Sequence, residues 1–260
     1  MSKAKAPAAT TPTIVDKSLL ITSSILDAYD WYKSAPPSTK KGTSITWQES
    51  AATDFRNALF KTPCEIDPAA KRGIDFEARI CRDLYMQRST FLARHGDLLT
   101  TEFYDKCAGG LQQEVVKYVY KIDGQLYCLY GKKDISFPVG NAKHPKGKTI
   151  DIKTTKEWKG HSKYTGRSQH PLYIAAGGIE EFEYLVAVGE DREIAPACVS
   201  ETGVRTAAKV EWTVDSVIPV VATLSRDDAF AIIESKIRAF VAFLATEPEL
   251  EKAYRTIFTK

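Results

Sequence analysis

The sequence predicts an α/β fold, a central mixed β-sheet of four or five strands flanked by helices, in a single domain over residues 14–260. Three observations predict it. In mid-chain, Val116, Tyr118, Tyr120 and Ile122 alternate with Val115, Lys117, Val119 and Lys121, and residues two apart share one face of a strand. The pair Asp123-Gly124 follows at once and a second run extends from Gln125 to Phe137, the pattern of a tight hairpin. Apolar residues at helical spacing dominate both ends of the chain, which places helices around the sheet.

The elements follow in order. Leu19, Leu20, Ile25, Leu26, Tyr29 and Trp31 predict a helix over Lys17–Lys33, stopped by Ala35-Pro36-Pro37. Trp47, Ala51, Phe55 and Leu59 recur at four-residue intervals and predict a second helix, Thr46–Phe60. A third is expected from about Ala70 to Gln87, with Ile74, Ala78, Cys81 and Tyr85 on one apolar stripe and Phe76, Ile80 and Leu84 beside it. A short helix over Asp97–Lys106 ends at Ala108-Gly109-Gly110. After the hairpin comes the strand TIDIKT, then a helix over Ser168–Ala176 whose Pro171 sits in the first turn, where a missing amide costs nothing. Phe182–Val188 and Arg205–Val214 read as strands joined by a loop. Ser225 caps a helix bearing Phe230, Ile233, Ile237, Phe240, Val241 and Leu244, and Pro248 opens a last one with Leu250, Tyr254 and Ile257 inward.

Composition sets limits. Of 260 residues, 43% are apolar and 27% charged, ordinary for a soluble globular protein, and no apolar run approaches the roughly 18 residues of a membrane span. Residues 1–13 are rich in Ala, Pro, Thr and Lys without an apolar signal core, so a disordered tail is expected there. The cysteines, Cys64, Cys81, Cys107, Cys128 and Cys198, are odd in number and form no C-x-x-C pair, which points to a reducing cytoplasm. His95, His144 and His161 show no paired ligand spacing, so no structural zinc is expected, and His170 reads as an exposed helix residue. A net charge of +3 is too slight to establish nucleic-acid binding, so the placement of charge must carry that argument.

Charge is concentrated in Gly131–Lys156 and just beyond. Asp134 stands late in one strand run, and Asp151 stands in the next with Lys153 two residues on, hence on the same strand face. Two carboxylates converging from neighbouring strands suit a hard divalent cation, and a lysine beside them steers water or stabilises a phosphate, a combination that points to phosphodiester hydrolysis. Downstream, Lys156, Lys159, Lys163 and Arg167 interleave with Trp158 and Tyr164, a mixture suited to neutralising a nucleic-acid backbone and stacking on single-stranded bases.

Asp134, followed after sixteen residues by Asp151-Ile152-Lys153-Thr154-Thr155, resembles the core of the PD-(D/E)XK nuclease superfamily, with its restriction-endonuclease-like fold. Gly73-Ile-Asp-Phe-Glu77 resembles the family's G-x-x-F-E or G-x-x-x-H element, and Gln169-His-Pro-Leu-Tyr173 its Q-x-x-x-Y element, which marks the RecB-like exonuclease branch. The opening ITSSILDAYDWYKSAP is similar to that branch's Ser-x-Ser start. The resemblance implies that Glu77, Asp134, Asp151 and the Ile152 carbonyl hold one or two Mg2+ or Mn2+ ions. It also implies that Lys153 serves the reaction, that Gln169 and Tyr173 support the site and contact DNA, and that products carry 5′-phosphates. Asp75 points about 200 degrees round the helix from Glu77 and is the poorer ligand. Some relatives hold an iron-sulfur cluster on one early and three late cysteines; nothing after Cys198 is a cysteine, so none is expected. The expected substrate is linear DNA with an end, in recombination, repair or replication. The resemblance implies a helicase or single-strand annealing protein as partner, and the chain has no P-loop motif of its own. An endonuclease on the same fold, a non-catalytic nucleic-acid-binding or interaction module, and an RNA substrate stay open.

Overall fold

The computed structural model describes residues 18–63, 65–95, 97–199 and 205–259, so the expected tail at 1–13 lies outside the described residues. The first expected helix is a strand and a helix in succession: β1 (Leu19–Thr22) runs directly into α1 (Ser23–Ser34), with the Thr22 hydroxyl accepting from the Ile25 amide. α2 (Trp47–Phe60) begins with a capping box between Thr46 and Glu49. α3 (Pro68–Asp83) starts on a proline behind the Asp67 cap. α4 (Arg88–His95), which no sequence pattern announced, and α5 (Asp97–Cys107) follow.

β2 (Leu111–Ile122) and β3 (Gln125–Phe137) form the long hairpin, and both turn residues have positive φ, 48° at Asp123 and 85° at Gly124, as a two-residue hairpin turn requires. β4 (Lys148–Thr155) lies antiparallel to β3 and parallel to β5 (Glu181–Ala195), after the short α6 (Ser162–Thr165) and α7 (Gln169–Gly177). The two-residue strands β6 (Cys198–Val199) and β7 (Arg205–Thr206) pair with each other, and β8 (Lys209–Thr223) returns along β5. α8 (Arg226–Leu244), capped by Ser225, and α9 (Pro248–Phe258) complete the chain. The sheet is mixed and has six strands, two of them longer than expected from Phe182–Val188 and Arg205–Val214.

Helices cover both faces. One core joins Ile25, Phe55, Leu172, Tyr184, Phe240 and Tyr254, and the other joins Phe76, Ile80, Phe103, Ile135, Ile152 and Leu185. β5 is buried on both sides over residues 182–187, and the one acid in that stretch, Glu183, is paired with Lys106 and Lys148. On α3 the buried stripe is Phe76, Ile80, Cys81 and Leu84, whereas Ile74 and Tyr85 are exposed, which corrects the expectation that put them inward. The reason is the close approach of α3 to β4: a Cβ on Gly73 would stand 3.3 Å from Thr154 Oγ1.

The end of α3 is tied by a buried acid. Asp83 is fully covered, but by the side chains of its partners Arg82 (2.9 Å), Arg94 (3.1 Å) and His95 (2.8 Å) and not by the deep core. The Arg82 hydrogen bond, with help from His95 and Arg94, holds its carboxyl at about 2. Because the folded value lies below the unfolded one, the stabilisation is complete above about pH 4 and disappears as pH falls through about 2. We expect Asp83→Asn to lower stability by about 1–2 kcal/mol at neutral pH. Urea unfolding of variant and parent should converge as pH falls from about 4 towards 2; a pH-independent gap would show that packing, not charge, matters there.

Candidate active site

The site lies where one edge of β3 changes partner. Along that edge β1 pairs with Tyr127–Tyr130, and β4 with Ile135–Phe137, so Gly131–Asp134 is left between them. Continuing the β3–β4 register would set Asp134 opposite Asp151, but the last pair is Ile135↔Ile150 and the strands part there. In the fork, Asp134 Oδ2 accepts from the Ile152 amide at 2.8 Å, so the side chain takes the place of the lost ladder bond.

Asp151 is 2% exposed; its Oδ1 accepts from Gln169 Nε2, and its Oδ2 lies 2.5 Å from Lys153 Nζ. The Lys153 ammonium is thus the partner of that buried oxygen. α7 thus delivers both motif residues to the fork: Gln169 to Asp151, and Tyr173, whose hydroxyl donates to the Lys132 carbonyl at 2.8 Å. Glu77 reaches in from α3, half-buried, with Oε1 accepting from Gln113 Nε2 at 2.6 Å. Asp75 is exposed and belongs to a separate surface.

The charges explain each other. Burial, then Asp151, then Glu77 push the Asp134 carboxyl well above its ordinary value, against the pull of Lys153 and the Ile152 amide. Burial draws the Lys153 ammonium down, but Asp151 and Asp134 more than offset it, so the lysine stays charged. Burial, with Asp151 and Asp134, raises the Tyr173 phenol, which is therefore neutral near pH 7. The same surroundings push the Cys81 thiol up to about 12, through burial and then Glu77 and Asp134.

A hard cation fits this set. The donors are carboxylate oxygens, and their mutual repulsion is what a divalent ion relieves. Among the described residues no three His, Cys, Asp or Glu side chains form a ready-made cluster, and Glu77 is engaged by Gln113. Glu77 would therefore join Asp134 and Asp151 through its other oxygen or after releasing Gln113.

Burial sorts the basic-aromatic run. Lys156, Lys159, Lys163 and Arg167 are exposed. Lys156 pairs with Asp191 at 2.6 Å, Lys159 with Glu157 at 3.5 Å and Arg167 with Asp27 at 3.9 Å. Tyr164 is 3% exposed, with Trp158 stacked on it at 5.7 Å, so the expectation that Tyr164 stacks on a nucleobase is corrected: its ring is a core element. Half-buried Trp158 keeps the partial exposure that Tyr164 lacks. His170, expected at the surface, is 6% exposed beneath Phe182 and Tyr184, and burial lowers it to about 4.

Three contributors escaped the sequence. Gln113, in the left-handed region at φ 55°, lies across from Asp134 between the pairs Gln112↔Ile135 and Glu114↔Lys133, and its side-chain amide donates to Glu77. A non-glycine residue held there costs about 1–2 kcal/mol. Asp27 Oδ1 accepts from the Ser168 amide at 2.7 Å and fixes the start of α7. Gly131 lies under the Tyr173 ring.

No family model and no curated protein matches the chain. Among solved structures it is similar to SSO0001, with a TM-score of 0.41 and 11% identity over 86% of this chain and 78% of that one. It is also similar to LHK-Exo, an alkaline exonuclease from Laribacter hongkongensis, with a TM-score of 0.38 and 16% identity over 91% and 92% of the two chains. The complex of LHK-Exo with dAMP gives a TM-score of 0.39 at the same identity and coverage.

Proposed function

We propose that the protein is a metal-dependent DNA exonuclease that hydrolyses phosphodiester bonds, on a core of the PD-(D/E)XK type. The observation that carries the proposal is the fork at Asp134 and Asp151, with a charged lysine 2.5 Å from one carboxylate and an amide side chain on its other oxygen. Asp134, Asp151 and Glu77, with the Ile152 carbonyl, would hold one or two Mg2+ or Mn2+ ions. Such an ion, when bound, stabilises charge on the phosphate and acidifies the attacking water.

The chain's own groups have separable tasks. Lys153, kept protonated by its acids, meets charge developing on the phosphate or holds the water for attack. Gln169 fixes the orientation of Asp151 by occupying Oδ1. Tyr173, neutral and tied to the Lys132 carbonyl, holds α7 against β3 and takes no part as a nucleophile. The exposed Lys156, Lys159, Lys163 and Arg167 neutralise the strand's phosphates. Recombination, repair or replication is where such an activity acts, with a helicase or strand-annealing protein as a partner. No described helix is long and apolar enough to cross a membrane.

End-labelled linear DNA should be degraded with Mg2+ and spared with EDTA, while covalently closed circular DNA survives. Nicking or linearisation of the circle at the same enzyme level would establish an endonuclease, and failure to cut either substrate would overturn the proposal.

A further inference from the structure

A cavity of about 460 Å³ opens along a face of α3 that excludes Glu77, between that helix and the outer part of the β5–β8 hairpin. It neighbours the fork: Gly73, against Thr154 of β4, follows Arg72, and Arg72 and Lys156 share Asp191 at 3.6 Å and 2.6 Å. Its aromatic walls are Phe76 and Trp212, edge to face at 5.1 Å, with the Arg79 guanidinium 5.6 Å from the Phe76 ring. Two N–H groups of the lining, Arg79 Nε and Trp212 Nε1, are buried and have no acceptor. Buried donors in native proteins are nearly always satisfied, so both await acceptor atoms.

The rest of the lining narrows the chemistry. Three cations, Lys71, Arg72 and Arg79, are balanced by three acids, Asp75, Asp191 and Glu211, which makes the cavity a poor trap for a bare phosphate. A purely apolar ligand would leave the two N–H groups unpaired. A planar group with ring-nitrogen or carbonyl acceptors, amino or imino donors and no net charge fits this lining: the half-buried Trp212 ring and the Arg79 guanidinium take its face, their N–H groups donate, and Asp75 accepts. We infer that this cavity takes an unstacked nucleobase, supplied by a DNA strand lying at Asp151 and Lys153 or by a free nucleotide. The strand source rests on the nuclease reading above.

The test compares two single-stranded oligonucleotides of equal length and charge, one with bases and one fully abasic, binding without divalent metal. Stacking and hydrogen bonding to one base should make the intact strand bind about tenfold more tightly to the parent protein. That ratio should fall to near one in Arg79→Gln and be reduced in Trp212→Phe, which keeps the ring and removes the N–H. Arg79→Lys, which keeps charge and bulk, serves if Arg79→Gln does not fold, and should also lose the ratio because its ammonium cannot reproduce the guanidinium plane. Competition by free nucleosides would identify the small-molecule source, and its absence the strand. A parent ratio near one, or a ratio unmoved in folded variants, overturns the inference. Hydrolysis by the parent with Mg2+ is scored separately: cleavage with an unmoved ratio sinks the cavity alone, and a collapsed ratio without cleavage sinks the nuclease reading alone.

Discussion

Asp151→Asn is expected to cut phosphodiester hydrolysis by about a hundredfold or more, with the fold retained, and Lys153→Ala should do the same. The two residues are one charge unit, 2.5 Å apart, and each loss has a different side effect. An asparagine keeps a carbonyl oxygen for Gln169 yet removes the negative charge that pushes Asp134 upward, so thermal stability should be unchanged or slightly raised. Lys153→Ala removes the cation that offsets both acids, so Asp134 should hold its proton more tightly and stability should fall modestly. Single-turnover cleavage of a linear substrate together with thermal unfolding separates these outcomes. Parental rates in both folded variants would remove the fork from the chemistry.

The parts legible in sequence were those set by short-range periodicity. Asp151 and Lys153 share a face because a strand repeats every two residues, and Gln169 and Tyr173 share one because a helix nearly repeats every four. The Asp123-Gly124 turn and the Thr46 and Ser225 caps are likewise local chemistry. β1 was hidden because four residues of strand run into α1 inside one apolar stretch, and its pairing partner, Tyr127–Tyr130, lies more than a hundred residues away. The basic run around Tyr164 suggests a base-stacking ring and His170 reads as an exposed helix residue, yet Tyr184 packs on both rings from β5. Burial of that kind is decided by tertiary contacts, which no local period records.

Gly131→Ala should damage both the fold and the activity, although a glycine inside a strand ordinarily weakens it and alanine there would be expected to help. The Tyr173 ring decides the sign. A Cβ at position 131 would lie 1.9 Å from Tyr173 Cε1 and 2.7 Å from Cζ, and a ring locked by its hydroxyl on the Lys132 carbonyl and stacked on Phe182 cannot give way cheaply. Overpacking of this severity costs about 1–3 kcal/mol. The ring must shift, carrying α7 with it, and Gln169 leaves Asp151 because it stands on the same helix face one turn earlier. Loss of activity should therefore exceed what the stability change explains, at about tenfold or more in rate at a temperature where the variant is fully folded. Gly131→Ala combined with Tyr173→Leu, which removes the ring, should relieve the clash so that the two stability losses are less than additive, but it should not regain the activity, because the hydroxyl that ties α7 to β3 is gone. A Gly131→Ala protein with parental melting and parental cleavage would mean that β3 and α7 do not meet as closely as the site requires.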